Sequence, residues 1–333
     1  MVLVNFKVVM GASENGPDWL IWLTGLFEGR AAAMFVILAG VGISMLSRKG
    51  RVFQDAERIR QDRLSLLKRA LFLFVVGLLY TPLWPADILH FYGVYIAIAA
   101  FMLSATDRRL WSWAIALSLG FLFLISIFDY EVGWDFSSLT YVDFWTVRGM
   151  IRHIFFNGFH PVIPWIVFLL IGMWLGRQDV KDSSIRRKFL WRSVVVAALA
   201  EALSYILVNW FPTEIGVLFG TDPMPPMPLY IAAAAGTAVA IIMICLELTL
   251  RYPDEPIFKP LVATGQLALT LYVAHVVIGM GSLEMIGRLE NQTLVFATSS
   301  ALVFTVLSIL FSHFWRQRYP RGPLEWMMRK LTG

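Results

Sequence analysis

The chain has 333 residues, 58% of them hydrophobic and only 15% charged, with a mean hydropathy of +0.67. Soluble domains run at about 45–50% apolar and about 25% charged, so a large-cored soluble enzyme is excluded and a polytopic membrane protein is implied. The single cysteine, Cys245, excludes an internal disulfide framework and a multi-cysteine metal site, and no nucleic-acid motif accompanies the net charge of +5.

The first segment, Met1–Gly11, is apolar, but its 11 residues reach only about 16 Å as helix against a hydrocarbon core of about 30 Å. It reads as a truncated half-helix. Pro17–Arg30 (PDWLIWLTGLFEGR) is amphipathic with two tryptophans and predicts an interfacial stretch. Nine segments then approach the length of a span: Leu26–Ser47, Leu66–Trp84, Ile88–Ala105, Leu110–Phe128, Val162–Gly176, Ser193–Trp210, Leu229–Leu250, Leu261–Gly281 and Thr293–Trp315. The predicted fold is a single all-α transmembrane bundle over residues 1–333, with nine full spans plus the N-terminal half-helix, ten in all.

Alternating these spans puts Arg48–Arg69, Thr106–Arg109, Arg177–Arg192, Arg251–Pro260 and Arg316–Gly333 on one side, with 23 of the 28 Lys and Arg. The positive-inside rule makes that side cytoplasmic. It therefore predicts a multi-pass membrane protein with a basic cytoplasmic loop at 48–69 and a cytoplasmic tail at 316–333. The basic stretches are topology signals first, although Arg48–Arg69 also suits anionic headgroups. On the outer side, Asp129–Met150 is acidic, aromatic and long for a connection, and predicts a lid in which Ser137 faces outward. Phe211–Pro228 ends in DPMPPMP and cannot be helical throughout.

Ionisable residues at membrane depth cost at least about 2.5–3.5 kcal/mol each and are usually paired or functional. Here they are Lys7, Glu28, Arg30, Asp87, His90, Arg152, His153, His160, Glu201, Glu247 and His275. Asp87 and His90 (PADILHFYG) stand three apart on one helical face. Either Asp87 caps the helix and His90 is merely interfacial, or a carboxylate orients an imidazole that serves as general base. Arg30 requires an acid or an anionic ligand, with Asp87 or Glu28 as the expected partner. His153 and His160 bracket a glycine-containing bend that enters a helix carrying Pro161 and Pro164. Glu247, near an inner helix end, is explained by snorkelling. His275 lies deep in an apolar helix with Tyr272 one turn before it, and structure and function are both open for it. The histidine spacing matches no metal motif, so no metal is expected.

Several stretches in order, LVNF, LFEGR, PADILHFYGV, GFHPVIPWIVFLLIGMWLGR, TGQLALTLYVAH and RGPLEWMMRKLTG, resemble the YeiB-like family of bacterial inner-membrane proteins over essentially the whole chain. That family is in turn similar to the membrane acetyltransferases of the heparan-α-glucosaminide type, within a wider transmembrane acyltransferase superfamily. The matching pieces are MVLVNF, FVILAGVGISMLS, ILHFYGV and LYVAHVV, the last placing His275 on a family histidine. The resemblance implies transfer of an acyl group from coenzyme A on the cytoplasmic side to a sugar on the far side. The acetyltransferases carry their catalytic histidine between the first two helices, whereas Ala12–Arg30 contains none. Both families usually have an Asp…Arg-Gly segment ahead of LVNF, so an open frame is expected to extend upstream by about one to two dozen residues, the length that a full span requires.

These readings together predict an acyltransferase-like protein that passes an acyl group from a cytoplasmic thioester, acyl-CoA, to a hydroxyl or amine on an envelope glycan or lipid. No prosthetic group is expected, membrane lipids are expected partners, and a dimer is allowed. His90 backed by Asp87 is the expected base, and Arg30 or Arg152 the oxyanion or headgroup anchor. His275 is the expected deeper relay or thioester contact. Glu28, His160 and Tyr272 complete the expected substrate-binding set. Arg30, Asp87, His90 and His160 are expected to converge on one cavity, with His275 at its floor. A transporter or channel for a small metabolite, lipid or proton would use similar scattered polar groups and broken helices. A non-catalytic, lipid-binding scaffold would account for the missing acetyltransferase histidine.

Overall fold

The structure is a computed structural model that describes residues 1–136 and 138–333; Ser137 lies outside the described residues. In chain order its first helices are α1 (Val2–Val9), α2 (Asp18–Gly25), α3 (Arg30–Leu46), α4 (Arg48–Val52), α5 (Ala56–Tyr80), α6 (Leu89–Phe101) and α7 (Asp107–Ile127). A two-residue ribbon follows, β1 (Trp134–Asp135) antiparallel to β2 (Thr140–Tyr141). After it come α8 (Val147–Arg152), a π-helical turn His153–Asn157, α9 (Val162–Leu175), α10 (Ser183–Trp210), α11 (Thr213–Gly216) and α12 (Pro228–Arg251). The last elements are α13 (Phe258–Gln266), α14 (Ala268–Ala274), a second π-helical turn His275–Met280, α15 (Gly281–Met285), α16 (Leu294–Arg318) and α17 (Pro323–Thr332).

Helix starts follow local chemistry. Asp55, Thr106, Thr146, Asp182 and Thr293 each accept a backbone N–H from the first turn that they precede, satisfying donors that a helix leaves open. All nine apolar segments coincide with helical structure, so the all-α bundle holds. By length and composition, six helical segments suffice to cross a membrane: Asp18–Leu46, Asp107–Ile127, Ser183–Trp210, Pro228–Arg251, Ala268–Met285 and Leu294–Arg318. A seventh arises if Val147–Asn157 and Val162–Leu175, bent by 49°, count as one broken span. Two expected spans come out differently. Leu66–Trp84 lies in α5, which starts within the basic stretch and carries Arg63, Lys68 and Arg69 along its first half. Ile88–Ala105 contracts to the 13 residues of α6, with Asp87 accepting from its first turn and Arg63 donating to the Ala100 carbonyl near its end, at 3.0 Å.

The chain forms two compact units, Met1–Glu28 with Leu248–Gly333, and Gly29–Glu247. In the first, α1 and α13 pack on α16, and α2 leaves Trp19 and Trp22 exposed. In the second, α3 and α7 pack on α9 and α5 packs on α6. Close approach is built from glycine: a Cβ at Gly172 would strike the Ile37 carbonyl of α3, and one at Gly77 the His90 backbone of α6. Gly77 thereby seats the start of α6, where the ionisable residues collect.

Candidate functional site

Asp87 precedes α6 and is fully buried. Its Oδ2 accepts the backbone N–H of Leu89 at 2.9 Å and of His90 at 3.2 Å, and meets His90 Nδ1 at 3.0 Å. The capping and orienting readings of this residue are thus one arrangement. A carboxylate only accepts, so the proton sits on Nδ1 and the lone pair of the neutral ring on Nε2. His90 is itself fully buried, and its Nε2 has no hydrogen-bond partner among the described residues.

Around this pair the fold gathers further imidazoles. The His153 ring stacks 5.7 Å from that of His90, and Phe91 packs against both His153 and His160, at 5.2 and 5.9 Å. His160 sits edge-on to Trp165 at 4.6 Å, and its carbonyl accepts the Tyr95 hydroxyl at 2.5 Å. The Nδ1 atoms of His153 and His160 are buried and have no hydrogen-bond partner among the described residues. Among the described residues no group of three His, Cys, Asp or Glu is arranged to hold a metal ion.

The acidic, aromatic connection closes over His153. Tyr141 and Phe144 lie edge-on to its ring at 4.6 and 4.9 Å, and Phe144 also meets His90 at 5.9 Å. Asn157, fully buried, fastens this cover. Its Nδ2 donates to the carbonyls of Tyr130 and Val132, at 2.8 and 2.9 Å. Its Oδ1 accepts the Tyr141 hydroxyl at 2.7 Å, and its carbonyl accepts Trp134 Nε1 at 2.6 Å. Burial pushes the Tyr141 phenol above its ordinary value against the pull of Arg152, consistent with a neutral donor.

The two arginines expected as anchors each have partners within the protein. Arg152 donates to the Tyr141 hydroxyl at 2.7 Å and to Asp143 Oδ1 at 2.6 Å, holding the cover. Arg30, expected to pair with Asp87 or Glu28, instead pairs with Glu201 of α10, which also accepts from Thr221 at 2.9 Å. Glu28 is taken by Lys7, a buried side chain that needs its counter-charge. Glu247 does not merely snorkel: Arg186 holds it at 2.6 Å. So Asp87, His90 and His160 come together, with His153, while Arg30 belongs to a separate ion pair.

His275 lies in the first unit and is fully buried. Its Nδ1 contacts the Tyr272 carbonyl, and its Nε2 lies 2.9 Å from Asn5 Nδ2. The carbonyl can only accept, so Nδ1 donates and Nε2 accepts from Asn5. Asn5, the polar residue of the LVNF stretch, and Asn157 of FFNG are residues that sequence reasoning passed over. A lone amide inside an apolar run was the available signal for each.

Six helical segments of membrane-crossing length make this a multi-pass membrane protein, and the match of its first 206 residues gives it an acyltransferase-like type. The chain belongs to the family described as heparan-alpha-glucosaminide N-acetyltransferase, catalytic, which matches residues 1–206. Residues 175–333 match the family described as protein of unknown function, DUF418, the YeiB-like resemblance of the sequence. No curated protein and no solved structure matches the chain. The four residues Asp87, His90, His153 and His160 fall inside the first match, and His275 inside the second.

Proposed function

We propose that the protein transfers an acyl group from a thioester donor, acyl-CoA, on the basic side to a hydroxyl or amine of an envelope glycan or lipid on the other. The observation that carries this reading is the buried His90 Nε2, left without a partner while Asp87 fixes Nδ1. In this reaction Nε2 takes the proton of the acceptor hydroxyl, and the acceptor oxygen bonds to the thioester carbonyl carbon. The C–S bond breaks, and the leaving thiolate takes the proton back from the imidazolium, which Asp87 stabilises meanwhile. The Nδ1 atoms of His153 and His160, without hydrogen-bond partners among the described residues, are polar atoms that bind the acceptor. His275 holds Asn5 in place, and Tyr272 supplies the carbonyl that fixes its tautomer.

The distribution of basic residues supports a cytoplasmic C-terminus, the YeiB-like resemblance supports the inner membrane, and the apolar segments support nine spans beside the half-helix at Met1–Gly11. Membrane lipids surround it, and a dimer fits the reading equally well. The broken helix Val147–Asn157/Val162–Leu175 is the feature that favours a transporter instead. Purified protein reconstituted in liposomes with radiolabelled acyl-CoA separates the two. Transfer of label to an added hydroxyl or amine acceptor, or slow hydrolysis of the thioester, is expected. Substrate flux without donor, and no loss of thioester, would replace acyl transfer with transport.

A further inference from the structure

At the opposite end of the Gly29–Glu247 unit, guanidinium groups outnumber carboxylates in a partly buried space. Arg177 follows α9 directly, and its side chain is only 9% exposed. Its Nη1 donates to the Ala105 carbonyl and to Asp107 Oδ1, both at 2.7 Å. The remaining two nitrogens, Nε and Nη2, are buried and have no partner among the described residues. A guanidinium presents its donors in a fixed fork, and an unsatisfied donor on a buried charge is costly. Such a fork turned away from its one carboxylate is an open receptor for an oxyanion.

Two more arginines, Arg48 and Arg51, come from α4, the short helix that follows α3. Gly176 lies against Ser44 and Val41 of α3, and one turn further on Arg51 Nη1 donates to Ser47 Oγ at 3.4 Å. Burial first, and then the positive charge of Arg177 and of Arg48, hold the Arg51 guanidinium below its ordinary value, while Asp107 opposes them. The charged groups acting on Arg51 are therefore two cations and one carboxylate, and that carboxylate is already engaged. The net excess is two positive charges. It matches a phosphate group, whose several oxygens accept from a guanidinium fork in pairs, better than it matches a single carboxylate.

We propose that Arg177, flanked by Arg51 and Arg48, receives a phosphate group of a ligand that approaches from the basic side. Two sources offer that chemistry: the nucleotide phosphates of coenzyme A, and the phosphate of an anionic lipid headgroup. The first identification rests on the acyl-transfer reading; the phosphate site itself does not. As a receptor at the far end of the same unit from His90, it would hold the polar head of a donor without touching the reacting atoms.

The full chain, purified in a phosphate-free maltoside detergent, is titrated calorimetrically with coenzyme A, as wild type and as R177Q, R51Q and R177K. If the nucleotide is the ligand, R177Q weakens binding about tenfold or more, as loss of a charge-assisted bidentate contact implies, and R51Q weakens it less. R177K, which keeps the charge but loses the fork, falls between wild type and R177Q. In the second arm, native mass spectrometry counts phosphatidylglycerol retained by the same proteins after exposure to that lipid. Loss of retained lipid in R177Q, with coenzyme A binding absent or unchanged, upholds the phosphate site and assigns it to the headgroup. Affinity for both probes unchanged in R177Q and R51Q overturns the proposal. Should R177Q fail to fold, R51Q and R48Q, on less buried side chains, carry the same comparison. Binding is read without turnover, so a failure of acyl transfer leaves this result standing, and the reverse holds too.

Discussion

His90 and His275 are both buried on apolar helices, and both give Nδ1–H to an acceptor three residues away, Asp87 Oδ2 for one and the Tyr272 carbonyl for the other. Their second nitrogens differ. Nε2 of His275 is occupied by the Asn5 amide at 2.9 Å, whereas Nε2 of His90 has no partner among the described residues. The acceptors differ as well: a carboxylate stabilises the imidazolium that forms when a base takes a proton, and a carbonyl does so far less. A histidine with both nitrogens engaged is a clamp between chain segments. One with a carboxylate behind it and an open lone pair is equipped to move a proton. Sequence position named His90 as the expected base and left His275 open between structure and function, and hydrogen bonding separates the two.

The largest effect is expected at His90. His90→Ala is expected to lower the rate of acyl transfer by about 10²–10⁴, the usual worth of a positioned general base, with acyl-CoA binding retained in an equilibrium assay. Next in size is Asp87→Asn, which keeps an acceptor for the two backbone donors but removes the charge. A loss of about 10²-fold or more in kcat is expected, in line with the cost of a wrongly oriented imidazole, and Asp87→Ala should also lower stability by about 1 kcal/mol through the lost cap. On the other side, Asn5→Ala leaves His275 Nε2 unpartnered. Thermal unfolding should report a loss of about 1–3 kcal/mol, and kcat should fall much less than in His90→Ala. A larger kcat loss in Asn5→Ala than in His90→Ala would invert the assignment. The smallest effect is expected for Arg30→Gln. Its partner Glu201 has a side chain 43% exposed, so the pair contributes about 1 kcal/mol or less, and turnover should stay at the wild-type level.

The bundle was legible because apolar runs of span length leave few alternatives, and the nine segments all carry helix. Their ends were less so. Near the end of α6, Arg63 reaches the Ala100 carbonyl across 37 positions of sequence, and no local pattern announces such a contact. The same division runs through the site. Asp87 and His90, three apart, were readable as one face of a helix, and the bend between His153 and His160 announced itself in its glycine and prolines. The partners of Arg30 and His275 were not readable, since Glu201 stands 171 positions away and Asn5 270. A nearby acid is the natural expectation for a membrane arginine, and here Lys7 had already claimed Glu28.

The proposed role of His90, a proton acceptor acting through its imidazole, is tested by chemical rescue. His90→Ala leaves a gap of one imidazole behind the intact Asp87 carboxylate. Added imidazole, titrated into the purified variant with acyl-CoA and acceptor present, should restore turnover along a saturable curve, and should restore none in Asp87→Ala/His90→Ala. His90→Ala turning over at the wild-type rate, or remaining inactive at every imidazole concentration while a smaller azole also fails, would contradict the claim.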